Sequence, residues 1–267
     1  MLDNRSVQIG SYELIDVLGE GATGVVYRAT GPDGQVAVKV LRDADPLARR
    51  RFEREARLAR EAASRHLVPI LDLGDGFIVM PLYPRGSLAD LLRSKGRLAL
   101  VAAVRVAAEL GQALDALHER GVVHRDVKPS NVLLGDEGAV LADFGLARGV
   151  DATQLTRDGQ LVGSAHYLAP ELIEGQPASA ASDIYALGCL LYECVTGAPP
   201  FSGRASAELG YAHLVEAPPD PRERRAGLPA DAAAALLSAL EKEPRSRPTS
   251  ATALARMLHL AGTTAPA

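Results

Sequence analysis

The sequence predicts an α+β protein of two unequal lobes, a small antiparallel sheet lobe with one helix followed by a larger, mostly helical lobe. Three observations carry this expectation. Short β-branched runs separated by turn residues fill the first third, apolar stripes at helical spacing fill the rest, and the texture changes at 81–86. The division is expected at 1–83 and 84–267, and 267 residues suffice to bury a sizeable core.

In chain order, the runs at 12–18, 25–30, 36–41, 68–73 and 77–80 read as strands of a meander. Gly31, Pro32, Asp33 and Gly34 supply a hairpin turn between the second and third. The arginine-rich stretch 47–64 interrupts the meander with helical spacing, its apolar stripe made by Phe52, Ala56, Ala59 and Ala63. Past Gly86, a second stripe runs through Ala103, Val106, Ala107, Leu110, Ala113, Leu114 and Leu117. Later helical stripes fall at 184–195, 230–240 and 250–260, separated by proline-rich loops around Pro199 and Pro218.

Charge and composition exclude several classes of function. With 29 Lys+Arg against 33 Asp+Glu the net charge is −4, so no global positive field recommends nucleic acid or an anionic membrane as partner. The most apolar long stretch, 98–117, carries Arg105, Glu109 and Asp115, which a bilayer core tolerates poorly. Residues 1–10 lack the apolar centre of a signal peptide and the tail beyond Leu260 resembles no lipidation signal, so the cytoplasm is the expected compartment. The two cysteines, Cys189 and Cys194, point to different faces of one apolar helix and read as reduced core residues. The histidines show no metal-ligand spacing with cysteine or carboxylate.

The stretch 19–26, GEGATGVV, fits the glycine pattern of two different nucleotide sites. A dinucleotide fold needs a helix directly after the glycines, whereas Val25, Val26 and Tyr27 favour strand. A glycine-rich hairpin closing over phosphates is the better reading; an ordinary glycine turn is the bland one. In the third strand Ala37, Lys39 and Leu41 share one face, which puts a cation on a half-buried surface. Glu55, three residues past Phe52, falls on the apolar stripe of the following helix. The two charges are expected to pair when that helix packs on the sheet, holding the Lys39 ammonium toward phosphates; two snorkelling surface charges are the alternative. Arginine is the habitual cation here. Lys39, Lys95, Lys128 and Lys242 are the only lysines among 29 basic residues, so a compact point charge is expected to be required at Lys39 and Lys128.

The segment 124–131 reads HRDVKPSN, and Asp143, Phe144 and Gly145 follow it. Phosphoryl transfer needs a carboxylate for the attacking hydroxyl, a cation beside the transferred group and oxygen ligands for a divalent metal. Asp126, Lys128, Asn131 and Asp143 offer one of each kind.

From residue 12 to 260 the chain resembles the serine/threonine protein kinases, and their bacterial branch in particular, with the motifs in the order that family requires. The resemblance implies the two-lobed protein-kinase fold and transfer of the γ-phosphoryl group of ATP, with Mg2+ or Mn2+, to serine or threonine hydroxyls of proteins. It implies a phosphate loop of Gly19, Glu20, Gly21, Ala22, Thr23 and Gly24, a phosphate-binding Lys39 and its partner Glu55. Leu18, Val26, Ala37 and Leu133 would form the adenine slot, Met80 would guard its back, and the backbone of Pro81 and Tyr83 would meet the base. Asp126 would be the catalytic base and Lys128 the neutralising cation, with Asn131 and Asp143 holding metal. Ala169, Pro170 and Glu171 match the end of the activation segment, Arg247 the buried arginine that pairs with Glu171, and Asp183 the anchor of the catalytic loop. The 163–171 segment resembles a peptide-docking loop.

Departures are few. Pro81 has no amide to donate, and Ser164 stands where relatives carry threonine. Thr153, Thr156 and Ser164 are the serine and threonine residues between Asp143 and Glu171 that could take a phosphate. Because Arg125 resembles the arginine that receives an activation-loop phosphate, Thr156 is the expected phosphosite. Pairing of two copies through the small lobe and a longer natural chain with a membrane segment are further implications of the resemblance. The rival readings are a nucleotide-dependent pseudokinase and a small-molecule kinase. The arginines at 49, 50, 51, 54, 57 and 60 read first as a solvated helix face and second as a dock for an acidic partner.

Overall fold

A computed structural model describes residues 7–21, 24–42, 46–62, 64–143 and 164–263. Ala22, Thr23 and Ala63, and the stretch 144–163 with Phe144, Gly145, Thr153 and Thr156, lie outside the described residues.

Six strands make the first sheet: β1 (Gln8–Ile9), β2 (Tyr12–Gly21), β3 (Gly24–Gly31), β4 (Gly34–Leu41), β5 (Asp72–Gly74) and β6 (Phe77–Pro81). The order is β1-β2-β3-β4-β6-β5, and every pairing is antiparallel. Gly31 pairs with Gly34 across the two-residue turn Pro32–Asp33, with Gly34 at φ 119, a conformation that glycine adopts without strain. Alternation along β4 gives the sheet two apolar faces. Val36 and Val38 join Tyr12, Ala29 and Val79 on one, while Ala37 joins Ile78 and Met80 on the other.

The run at 68–73 is mostly not strand. Pro69 cannot donate to a ladder, and the chain instead crosses to the second lobe, where the Val68 amide donates to Leu141 O at 2.9 Å and Leu141 N to His66 O at 2.8 Å. Helix α1 (Pro46–Arg60) packs through Phe52, Ala56 and Ala59, all buried.

The helical lobe comprises α2 (Leu88–Lys95), α3 (Leu100–His118), α4 (Pro170–Ile173), α5 (Ala180–Thr196), α6 (Ser206–Val215), α7 (Pro221–Arg224), α8 (Ala230–Ala239) and α9 (Ala251–Thr263). Ser87 and Asp90 cap α2 reciprocally, the Asp90 amide donating to Ser87 Oγ at 3.2 Å and the Ser87 amide to Asp90 Oδ2 at 2.9 Å. The start of α9 is capped from afar, since Asp115 on α3 accepts from the Ala251 and Thr252 amides at 2.9 and 3.1 Å. Nearly all of α5 is buried, including Cys189 and Cys194, whose thiols are pushed up in pKa by burial. A hairpin of β7 (Val132–Gly135) and β8 (Gly138–Leu141) lies between the lobes. Leu133 on β7 bridges to Ser87 and Leu141 on β8 bridges to Leu67, so each lobe pairs with one strand of the hairpin. Among the described residues no helix is long and apolar enough to cross a membrane.

Candidate active site

The loop between α3 and β7 carries four of the expected residues, and its shape is set by buried polar contacts. Asp183, at the start of α5 and 1% exposed, accepts from the His124 amide at 2.7 Å and the Arg125 amide at 2.8 Å, while His118 Nε2 lies 2.8 Å from its Oδ2. These bonds hold Arg125 at φ 67, a left-handed backbone that costs a non-glycine residue about 1–3 kcal/mol. Buried His124 is kept neutral, because burial lowers its pKa. Its Nδ1 accepts from the Asp126 amide at 3.3 Å, which leaves Nε2–H to donate to Ala142 O at 2.9 Å. The ring thus joins the loop to the residue preceding Asp143.

Asp126 is the hub. Its Oδ2 lies 2.7 Å from Lys128 Nζ and accepts from Asn131 Nδ2 at 3.0 Å, and its carbonyl accepts from the same Nδ2 at 2.8 Å. Both contacts use the Asn131 amide nitrogen, and among the described residues Asn131 Oδ1 has no donor. Asp143, at φ 57, receives Lys39 Nζ on Oδ1 at 2.8 Å, and no partner of its Oδ2 is found among the described residues. Asn131 and Asp143 thus offer oxygen ligands from two different residues, the donor type that a hard divalent cation takes.

The expected Lys39–Glu55 pair is not formed. Lys39, 5% exposed, is paired with Asp143, and Glu55 Oε1 instead lies 3.2 Å from Arg125 Nη1. Sequence reasoning matched one cation on the sheet with one anion on the helix. The helical lobe brings a competing partner for each, and spacing along the first lobe cannot reveal either.

The apolar slot is assembled from both lobes. Ala37 and Met80 face each other across β4 and β6 and are buried in the main core, with Val26, Tyr83 and Leu133 packed against it. Leu18 is the exception, 43% exposed on β2. Glu20 is tied to Arg42 beyond β4 by an exposed pair at 2.5 Å. Gly24 has the least room of the loop glycines, since a Cβ there would meet Val40 O at 2.2 Å, whereas Gly19 and Gly21 have open space. Pro81 closes β6 opposite Val36 and begins the connection to α2. Beside Lys128 and Pro129, a cavity of about 370 Å³ is also lined by Arg93, Tyr167 and Glu193, residues the sequence reading did not single out.

Glu171 on α4 and Arg247 after α8 are brought together, buried, at 2.8 Å.

This is the architecture of the protein-kinase fold: the crystal structure of Rad53 1-466 in complex with AMP-PNP matches with a TM-score of 0.75, covering 91% of this chain and 64% of that one at 26% identity. The sequence profile of the protein kinase domain matches residues 12–258, and the chain belongs to that family. Serine/threonine-protein kinase PknE of Mycobacterium tuberculosis (strain ATCC 25618 / H37Rv) is 40% identical over 271 residues, covering 98% of this chain and 48% of PknE. PknH of Mycobacterium bovis is 39% identical over 97% of this chain and 46% of its own length, and PknB of Mycobacterium leprae 38% over 88% and 40%. The chain therefore spans about half the length of these relatives.

Proposed function

We propose that this domain is a serine/threonine protein kinase that transfers the γ-phosphoryl group of ATP, with Mg2+ or Mn2+, to hydroxyls of protein substrates. The observation that carries the reading is the convergence on Asp126: its carboxylate meets Lys128 and Asn131 at 2.7 and 3.0 Å, with Asp143 and Lys39 joined across the same cleft. The relatives named as serine/threonine-protein kinases and the Rad53 complex with AMP-PNP support it.

Asp126 orients the incoming hydroxyl and accepts its proton, since its Oδ2 is the acceptor in the loop. Lys128 stays beside it and offsets negative charge on the transferred group. Lys39 binds the nucleotide phosphates, with Glu55 as its partner in the reacting arrangement. Asn131 Oδ1 and Asp143 would hold the divalent ion, which would neutralise negative charge on the phosphates. The adenine sits between Ala37, Val26 and Leu133, with Met80 behind it, Leu18 closing over it and the backbone of Pro81 and Tyr83 beside it.

The lobes divide near Tyr83. Phosphorylation of Thr156 is the proposed regulatory step, pairing of copies through the small lobe the proposed assembly, and the cytoplasm, alone or as one end of a longer membrane-bound chain, the proposed compartment. A pseudokinase is disfavoured because Lys39, Asp126, Lys128, Asn131 and Asp143 are all present. Incubation with labelled ATP and a generic basic protein tests the reading. Incorporation into serine and threonine is expected for the natural sequence and loss of about 100-fold or more for Asp126→Asn. Equal incorporation by both would refute it.

A further inference from the structure

We propose that Glu109 is a positioning residue for the divalent-metal site, holding β8, the strand that delivers Asp143, in a fixed place against α3. The inference rests on the phosphotransferase reading above and adds to it a residue that touches neither nucleotide nor metal.

The buried residues of α3 are apolar but for one charge. Glu109, 7% exposed, keeps company with Ala103, Val106, Ala107, Leu110 and Ala113, where an ionised carboxylate is costly unless it is paired and hydrogen-bonded. It is both. Its Oε1 accepts from Arg105 Nε at 2.8 Å, one turn earlier in the helix, and its Oε2 accepts from the Ala139 amide at 2.8 Å. Arg105 reaches the same turn of the hairpin, its Nη2 donating to Glu137 O at 3.1 Å. The chain makes room for this contact. Gly138 lies at φ 136, and a Cβ there would collide with Glu109 Oε1, so the carboxylate occupies the space that any other residue would fill.

β8 needs such a clamp because it has β7 on one side only. Ala139 and Leu141 turn their peptide groups to the other side, the edge of the hairpin, where a strand without partners is free to shift. Four bonds close that edge. The Leu141 amide donates to His66 O at 2.8 Å, the Val68 amide donates to Leu141 O at 2.9 Å, and His66 Nδ1 lies 3.0 Å from Ala139 O. Arg65 Nε donates to His66 Nε2 at 3.2 Å, so Nδ1 carries the hydrogen and is the donor to Ala139. These three come from the 66–68 segment that leads into the sheet, and the fourth, from Glu109, is the one that the helical lobe supplies. Without it the outer edge of β8 would follow the 66–68 segment alone.

The consequence appears at the far end of the strand. β8 runs directly into Ala142 and Asp143, and the Ala142 amide donates to Asn131 O at 2.8 Å, so the two residues read as metal ligands leave the hairpin together. The same α3 leads into the loop that carries Asp126. Glu109 therefore ties the strand that brings Asp143 to the helix that brings Asp126, and sets the spacing between the metal site and the base.

The test titrates Mn2+ into the whole chain with AMP-PNP, reading bound metal from the loss of the free-ion electron paramagnetic resonance signal, and measures adenosine binding without metal by calorimetry to report on the apolar slot. Glu109→Ala is expected to weaken Mn2+ binding about three- to tenfold and to leave adenosine affinity unchanged. Glu109→Gln keeps an acceptor for the Ala139 amide and should recover most of the loss. Gly138→Ala, which displaces the carboxylate, should weaken Mn2+ in the same way and serves if Glu109→Ala does not fold. Asp115→Ala removes the cap of α9 from the same helix, so it destabilises the lobe without touching β8 and should leave Mn2+ affinity unchanged. Unchanged Mn2+ affinity in both Glu109→Ala and Gly138→Ala overturns the proposal. Equal weakening by Asp115→Ala, an equal fall in adenosine affinity, or a Glu109→Gln no better than Glu109→Ala overturns it as well. If the natural sequence with AMP-PNP binds no Mn2+ at all, the kinase reading itself fails and takes this inference with it.

Discussion

Arg247 grips Glu171 with both ends of its guanidinium, Nη1 to Oε1 and Nη2 to Oε2 at 2.8 Å each, across 76 residues of chain. The remaining N–H groups are also used: Nε donates to Glu241 O, Nη1 to Ala181 O and Nη2 to Lys242 O. Ser182 Oγ adds a bond to Glu171 Oε1 at 2.7 Å. One planar group thereby ties α4, the start of α5 and the segment after α8 together.

Breaking that pair should therefore be costly. Burial would raise the Glu171 pKa, but the hydrogen bonds from Arg247 and Ser182 outweigh it and hold the carboxyl below its usual value. Arg247→Ala leaves a buried carboxylate unpaired and should cost about 3–5 kcal/mol, read as a fall in thermal midpoint of about 10 °C. Arg247→Lys has three donors for a site that uses five and should recover only a minor part. Because the folded pKa of Glu171 is depressed, the stabilisation is present above the unfolded carboxyl pKa and lost as pH falls below it. A melting curve of Arg247→Ala within a degree of the natural sequence at pH 7 would contradict this.

His213 on α6 makes a second pH-dependent contribution. It is buried among Tyr185, Phe201 and Lys242, with Nδ1 2.8 Å from Tyr185 Oη and, among the described residues, no partner for Nε2. Burial first, then the charge of Lys242 and the neighbouring His166, push its pKa down to about 3. The unfolded chain binds a proton near pH 6.5, so stability is lost as pH falls from about 6.5 toward 3. Between pH 7 and 4.5 this one group should remove about 2–3 kcal/mol. His213→Gln, which cannot titrate, should show a smaller difference in thermal midpoint between those two pH values. An identical difference in the variant would place the acid sensitivity elsewhere.

What the sequence revealed depended on whether the determining partners were local. Alternation in β4 and the Gly31–Gly34 turn placed most of the sheet, because strand and hairpin signals sit within a few residues. The 68–73 run looked like strand from its branched residues, but Pro69 and the pull of Leu141 took it out of the ladder. The β7–β8 hairpin has only a faint signal, two short apolar runs about Gly135 and Gly138, too brief for alternation to separate from the segments around them. In the site, Asp126, Lys128 and Asn131 lie within six residues and were legible together. The exchange of partners between Lys39 and Glu55 was not, because Asp143 and Arg125 arrive from a lobe that no spacing rule connects to the sheet.

The Asp183 anchor predicts a split between binding and turnover. Replacing it with asparagine supplies at most one acceptor oxygen where the His124 and Arg125 amides and the His118 ring now share two. At least one buried N–H loses its partner, at about 1–3 kcal/mol. The loop carrying Asp126 and Lys128 should loosen, so kcat is expected to fall about tenfold or more in Asp183→Asn. KM for ATP should change less, because Lys39, Ala37 and Met80 do not touch Asp183. Steady-state kinetics separates the two: a rise in KM with kcat intact would mean that Asp183 supports the nucleotide and not the loop.

The loop glycines should divide by mechanism. At Gly24 a Cβ would meet Val40 O at 2.2 Å, and because that atom is backbone, β3 must move away from β4. Gly24→Ala is therefore expected to destabilise the protein without nucleotide by about 1–3 kcal/mol, and also to disturb Lys39, the neighbour of Val40. Gly21 has nothing within 4 Å of its Cβ position, so Gly21→Ala should leave the thermal midpoint of the free protein unchanged. Its penalty should appear only where a phosphate approaches the backbone, as weaker binding of AMP-PNP with Mg2+. Thermal melts with and without that analogue check both halves. Equal destabilisation of the free protein by the two variants would show that the hairpin, and not its contact with β4, makes the demand on Gly24.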